Sequence, residues 1–127
     1  MKKQFITTVA VLAMCTSAAW AAISRNSLDW VDQIPGLKLY SLEYDHDELQ
    51  KGYTFTEKSS YDAVVSGFKE KGWKVTGKLT DYDVPEMPTI LLSKDHMKAK
   101  IDVDREDDIP GVYYELDVQI EEPDYDD

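Results

Sequence analysis

From Val112 to Glu121 apolar and polar residues alternate without a break: Val112, Tyr114, Leu116, Val118 and Ile120 against Tyr113, Glu115, Asp117, Gln119 and Glu121. A period of two over that length predicts a strand with one dry and one wet face. Such a strand belongs in an antiparallel sheet, because parallel sheets are buried on both sides. The preceding segments supply its partners. Ala99, Ile101 and Val103 alternate with Lys98, Lys100, Asp102 and Asp104, and Thr89 to Ser93 forms a compact apolar strand. Lys94-Asp95-His96-Met97 reads as the hairpin turn between them. Further back, Trp73, Val75 and Leu79 alternate with Lys74, Thr76, Lys78 and Thr80. The loop from Asp81 to Pro88 holds two prolines, which cannot donate to a ladder.

The dry face needs a cover, and residues 59–72 provide one. Ser59 predicts a cap, with Asp62 at the third helical position to reach back. Tyr61, Val64, Val65 and Phe68 recur at helical spacing and form one apolar stripe. Lys69 and Lys71 occupy the last turn, where the helix dipole favours cations, and Gly72 supplies a left-handed stop. Upstream, Leu37 to Tyr44 predicts a strand with Tyr40, Leu42 and Tyr44 on one face. Asp45 to Gly52 predicts a polar turn closed by glycine, and Tyr53 to Glu57 a short second strand. Ser27 to Ile34 predicts a short helix with Trp30 and Ile34 on one side, ended by Pro35-Gly36. The order β-β-α-β-β-β-β is that of an α+β domain, a single helix packed on a curled antiparallel sheet.

Residues 1–21 have a different character. Lys2 and Lys3 precede an apolar run from Phe5 to Met14, and Ala19-Trp20-Ala21 gives the small-x-small pattern of a cleavage site. This is the order of a secretory signal peptide, and its apolar core is too short to span a bilayer. Met14 before Cys15 departs from a lipobox, so cleavage after Ala21 is expected, with a periplasmic or secreted product. The domain then spans residues 22–122, and residues 123–127 form an acidic tail. Removing the leader discards the only cysteine and takes the formal charge from −11 to −13. Such a surface repels phosphate backbones and anionic lipid and favours cationic partners.

Pro35-Gly36, Ser59, Tyr61, Phe68 and Gly72-Trp73-Lys74-Val75 together resemble small domains that recur in exported bacterial proteins and lipoproteins. In these, Pro-Gly precedes a strand pair, and a Ser-capped helix ends in Gly-Trp-x-Val and leads into antiparallel strands. The resemblance covers most of residues 22–122 and implies a non-catalytic envelope module. It carries over no functional residue.

The chemistry-bearing residues are few. His46 stands among Asp45, Asp47 and Glu48, without a second histidine or cysteine at ligand spacing. His96-Met97 and Met87 would be the soft ligands of a copper site, although Met97 also suits the sheet rim. Asp102, Asp104 and Glu106 begin like a calcium loop, but Asp107 takes the place of the turn glycine and Tyr113 that of the bidentate glutamate. Strand alternation puts Asp102 and Asp104 on one face, where Glu115 or Asp117 can join them. No nucleophile elbow or phosphate loop is present, and no cofactor is expected.

The chain therefore reads as a non-catalytic exported protein-binding module, of the inhibitor or immunity kind, for an envelope or secreted protein with a basic surface. Asp102, Asp104, Tyr113, Glu115 and Asp117 are the expected contact face. The alternative is a small apolar ligand, held in a cleft of Tyr40, Tyr44, Phe55, Tyr61 and Phe68, or weak calcium binding by Asp102, Asp104 and Glu106.

Overall fold

The structure, a computed structural model, describes residues 23–106 and 113–122. The expected leader (1–21), residues 107–112 with the expected strand residue Val112, and the acidic tail (123–127) lie outside the described residues. The six strands form one antiparallel sheet, and the chain order is the expected one. They are β1 (Lys38–Asp45), β2 (Glu48–Phe55), β3 (Lys74–Leu79), β4 (Thr89–Lys94), β5 (Met97–Glu106) and β6 (Tyr113–Glu121), with helix α1 (Lys58–Glu70) between β2 and β3. Their order across the sheet is β1-β2-β6-β5-β4-β3, so β6 lies in the interior and β1 and β3 are the edges. No helix of the described residues is long and apolar enough to cross a membrane.

The inner face of the sheet carries the core. Leu49, Tyr53 and Phe55 of β2, Tyr114, Leu116, Val118 and Ile120 of β6, and Ala99, Ile101 and Val103 of β5 are all buried there. The helix lays Tyr61, Val64 and Phe68 onto this face, with Val65 at the margin. Its C-terminus is a Schellman motif. The Trp73 N–H donates to the Phe68 carbonyl and the Gly72 N–H to that of Lys69, while Gly72 takes a positive φ of 94°. The apolar contact that accompanies such an ending is also present, since the Phe68 and Trp73 rings meet edge-on at 5.4 Å.

The helix start differs from expectation. Ser59 does not cap: Glu57 holds the N-cap position without a side-chain bond. Ser60 is buried, and its hydroxyl donates to the Pro35 carbonyl at 2.8 Å. Asp62 pairs instead with Lys58 one turn earlier. The first turn is thus tied to the segment before β1 rather than capped by its own side chains.

The predicted N-terminal helix is replaced by successive turns that end in a 3₁₀ helix, Val31–Gln33, all closed by i→i+3 bonds. The tighter winding turns Leu28 and Val31 inward and leaves Trp30 and Ile34 half-buried. Trp30 meets Phe68 edge-on at 5.2 Å and carries the Lys71 ammonium over its ring at 4.5 Å.

The first hairpin corrects the expected long turn. Only His46 and Asp47 turn the chain, and Asp45 already pairs with Glu48. The polar stretch that follows is strand. Lys51 points inward, 4% exposed, and its ammonium reaches Asp32 at 3.0 Å and Asp29 at 3.4 Å. The Tyr53 hydroxyl donates to the same Asp32 carboxylate. Burial, then this bond to a carboxylate, raises the Tyr53 pKa far above that of an ordinary phenol.

Two edge-strand bulges overturn two further expectations. In β1 the register shifts between Leu39 and Ser41, and the extra residue, Tyr40, leaves the face shared by Leu42 and Tyr44. In β3 the shift falls between Val75 and Gly77, so Leu79 no longer follows Val75 inward and is 55% exposed. One inserted residue reverses the facing of everything beyond it.

Candidate functional site on the open sheet face

Directly paired residues of an antiparallel sheet share a face, so the register fixes what the outer side presents. On β5 this is Lys98, Lys100, Asp102, Asp104 and Glu106; on β6 it is Glu121, Gln119, Asp117, Glu115 and Tyr113. At one end the charges are matched: Lys98 stands opposite Glu121, and Lys100 opposite Gln119, whose amide donates to Glu48. At the other end they are not. Asp102 stands opposite Asp117 and Asp104 opposite Glu115, two like-charged cross-strand pairs side by side.

All five expected contact residues therefore share this face. Asp104 is exposed, whereas Asp102, Tyr113, Glu115 and Asp117 are half-buried. Asp102, Asp104 and Asp117 each bring a carboxylate oxygen within 4.8 Å of the other two. Glu106 lies beside Glu115 rather than joining this trio, close enough to raise the Glu115 pKa.

The crowding shows in the acidities. Burial, followed by Asp102 and the loop carboxylates Asp81 and Asp83, raises the Asp104 pKa. Burial, followed by Asp102 and Asp104, raises that of Asp117, which Lys100 partly offsets. Glu115 is raised first by Glu106, then by burial and by its negative neighbours; the Tyr40 hydroxyl works the other way by donating to it. Each shift disfavours the charged form, as expected where anions face one another with too few cations between them.

Three contributors escaped the sequence. Tyr40 reaches Glu115 from β1 by crossing β2 at Gly52, where a β-carbon would stand 3.1 Å from the tyrosine ring. The bulge that turns Tyr40 outward leaves no trace in the alternation of residues. Thr89 on β4 donates its hydroxyl to Asp102 at 2.7 Å. The loop after β3 is pinned by Val84 and Met87, both buried, and folds so that the Asp83 N–H bonds the Asp81 carboxylate. The acidic run at Asp81 and Asp83 was the available signal for its part.

The other expected sites take different forms. Asp45, His46 and Asp47 cluster at the exposed hairpin tip, with His46 Nδ1 3.1 Å from Asp45. His96 turns Nε2 to Glu122 at 3.1 Å, Met97 packs on the core margin, and Met87 is sealed inside at 1% exposure. The aromatic cleft does not form. Phe55, Tyr61 and Phe68 are buried, Tyr44 lies exposed on the edge strand with its hydroxyl on the Ile23 carbonyl, and Tyr40 belongs to the opposite face. Comparison with family models, with curated proteins and with solved structures returns no match.

Proposed function

We propose that the chain is a non-catalytic, exported protein-binding module whose open sheet face docks a basic protein of the envelope or exterior, in the manner of an inhibitor or immunity protein. One observation carries this: the outer face is matched in charge at the Lys98 end and stacks like charges at the Asp102–Glu115 end. A partner's lysines and arginines would relieve that repulsion, speed encounter and reject acidic competitors. Tyr113 and Tyr40 flank the carboxylates and supply the amphipathic anchors common at interfaces.

The test is capture from envelope extract on the immobilised chain, followed by elution with rising salt. A single basic protein released by salt is expected. A partner whose retention is indifferent to salt would defeat the electrostatic reading.

The same face predicts a stability effect. Asp102→Asn with Asp104→Asn removes both like-charged pairs and keeps an acceptor for Thr89, so the fold gains about 1 kcal/mol at neutral pH. It should also lose the salt-sensitive partner. The pH dependence follows from the raised acidities of Asp104, Asp117 and Glu115. Above the ordinary values of 3.8 for Asp and 4.5 for Glu, the folded state holds protons that the unfolded chain has released. Their stabilising effect is complete below those values and is lost as pH rises through the raised ones. Chemical denaturation at stepped pH should therefore find the contribution of these three groups falling as pH rises above the ordinary carboxylate values, by a margin that shrinks in the double variant.

A second reading rests on the three converging oxygens of Asp102, Asp104 and Asp117: a divalent cation of calcium type, held weakly in an oxygen-only site. Wild-type melts unmoved by millimolar calcium would dispose of it.

A further inference from the structure

The two edges of the sheet are built differently. β3 has six residues, two of them lysines, and exposes one large apolar side chain, Leu79. That is how edges are commonly protected from pairing with a neighbour. β1 has eight residues, every one exposed, and shows Leu39, Tyr40, Leu42 and Tyr44 to solvent at 37–52%. Among the described residues no strand pairs with its outer edge.

We propose that β1 pairs antiparallel with β1 of a second copy of this chain, about a twofold axis between Tyr40 and Ser41, making one twelve-stranded sheet. The bulge selects this register. In a regular strand positions 39 and 42 face opposite sides, so a pairing centred between 40 and 41 would set inward residues against outward ones. The extra residue at Tyr40 reverses the phase, so that Leu39 and Leu42 share the inner side and Lys38 and Glu43 the outer one. Pairing then places Leu39 opposite Leu42 of the second copy and Lys38 opposite Glu43 of the second copy. Each contact occurs twice. Four leucines cluster on the inner face of the joined sheet, and two complementary ion pairs form on its outer face.

The net charge of −11 does not forbid this. The two β6 strands would lie five strand spacings apart, about 24 Å. That is well beyond the screening length of roughly 8 Å at physiological salt. A single strand pair buries little surface compared with obligate dimers, so the association is concentration-dependent.

Sedimentation and light scattering from low- to high-micromolar concentration test it. The expected result is a mass rising from one chain to two. Glu43→Lys or Lys38→Glu alone sets like charges opposite each other and weakens dimerisation about tenfold. The two together exchange the charges and restore it. Both positions are exposed, so the fold is not at stake in the comparison. A monomer throughout, or a dimer indifferent to the single reversals, or reversals that add instead of cancelling, each overturns the proposal. Hydrogen exchange gives a separate reading: β1 amides slow as the dimer forms, and β1 amides already slow in a strict monomer would mean that something else covers the edge. Partner capture on the acidic face does not depend on any of these outcomes.

Discussion

Replacing Asp32 by alanine is expected to lower the unfolding free energy by about 3 kcal/mol, one of the two largest single-site losses in view outside the apolar core. The reason lies in what stays behind. Lys51 keeps its ammonium inside the sheet, with 5% of the side chain exposed, and retains only Asp29, at 3.4 Å and itself 61% exposed. Tyr53, fully buried, loses the acceptor of its hydroxyl. An unpaired buried cation together with an orphaned hydroxyl costs more than the pair contributed while intact. For a domain of this size the loss corresponds to a fall in Tm of roughly 15 °C. Lys51→Met should cost far less, because Asp32 is 30% exposed and still accepts from Tyr53. Thermal melts of the two variants decide the point: equal losses, or a larger one for Lys51→Met, would show that the lysine is not held by Asp32 in this way.

The same residues show where sequence stops informing structure. Asp45-His46-Asp47-Glu48-Leu49-Gln50-Lys51-Gly52 has the composition of a turn, yet only His46 and Asp47 lie outside the strands. Lys51 is a strand residue because Asp29 and Asp32, nineteen or more positions earlier, meet it across the core side. Gly52 is a strand residue because Tyr40 and Ser41 lie against the space where its side chain would be. Both reasons are tertiary, and neither has a local signature. The acidic face was legible for the opposite reason. Asp102, Asp104, Glu115 and Asp117 lie in two regular strands without bulges, so alternation alone assigns their side, and antiparallel pairing brings them together. What alternation could not supply was the register, which decides that Asp102 meets Asp117 rather than Gln119. Edge strands were the least legible part. Both carry a bulge, and in each an apolar residue counted inward from the pattern lies outside: Tyr40 in β1 and Leu79 in β3. The displacement of Tyr40 has consequences on both sides of β1. It gives Glu115 a hydroxyl partner, and it sets the facing on which the edge pairing depends.

Gly67→Ala should be destabilising by about 2 kcal/mol even though alanine is the better helix former. Gly67 opens the last turn of α1, and a β-carbon there would come within 2.7 Å of Cη2 of Trp30 and closer still to Cζ3. The indole has little room to withdraw. Its neighbours include the Phe68 ring, 5.2 Å away edge-on, and the Lys71 ammonium, 4.5 Å from its centre. Withdrawal would also shift the turns carrying Leu28 and Val31, both fully buried, and with them Asp29 and Asp32. Glycine at this position is therefore required by close approach, not by backbone conformation. The expected readout is a Tm lowered by roughly 10 °C, with Trp fluorescence shifted to the red as the indole leaves its contact. A second background separates sterics from helix propensity. With Trp30→Leu already in place the clash is absent, and adding Gly67→Ala should then stabilise by about 0.5–1 kcal/mol, the ordinary gain of alanine over glycine. The sign of the Gly67→Ala effect thus depends on the residue at position 30. If alanine destabilised to the same degree in both backgrounds, contact with the indole would not be what keeps glycine there.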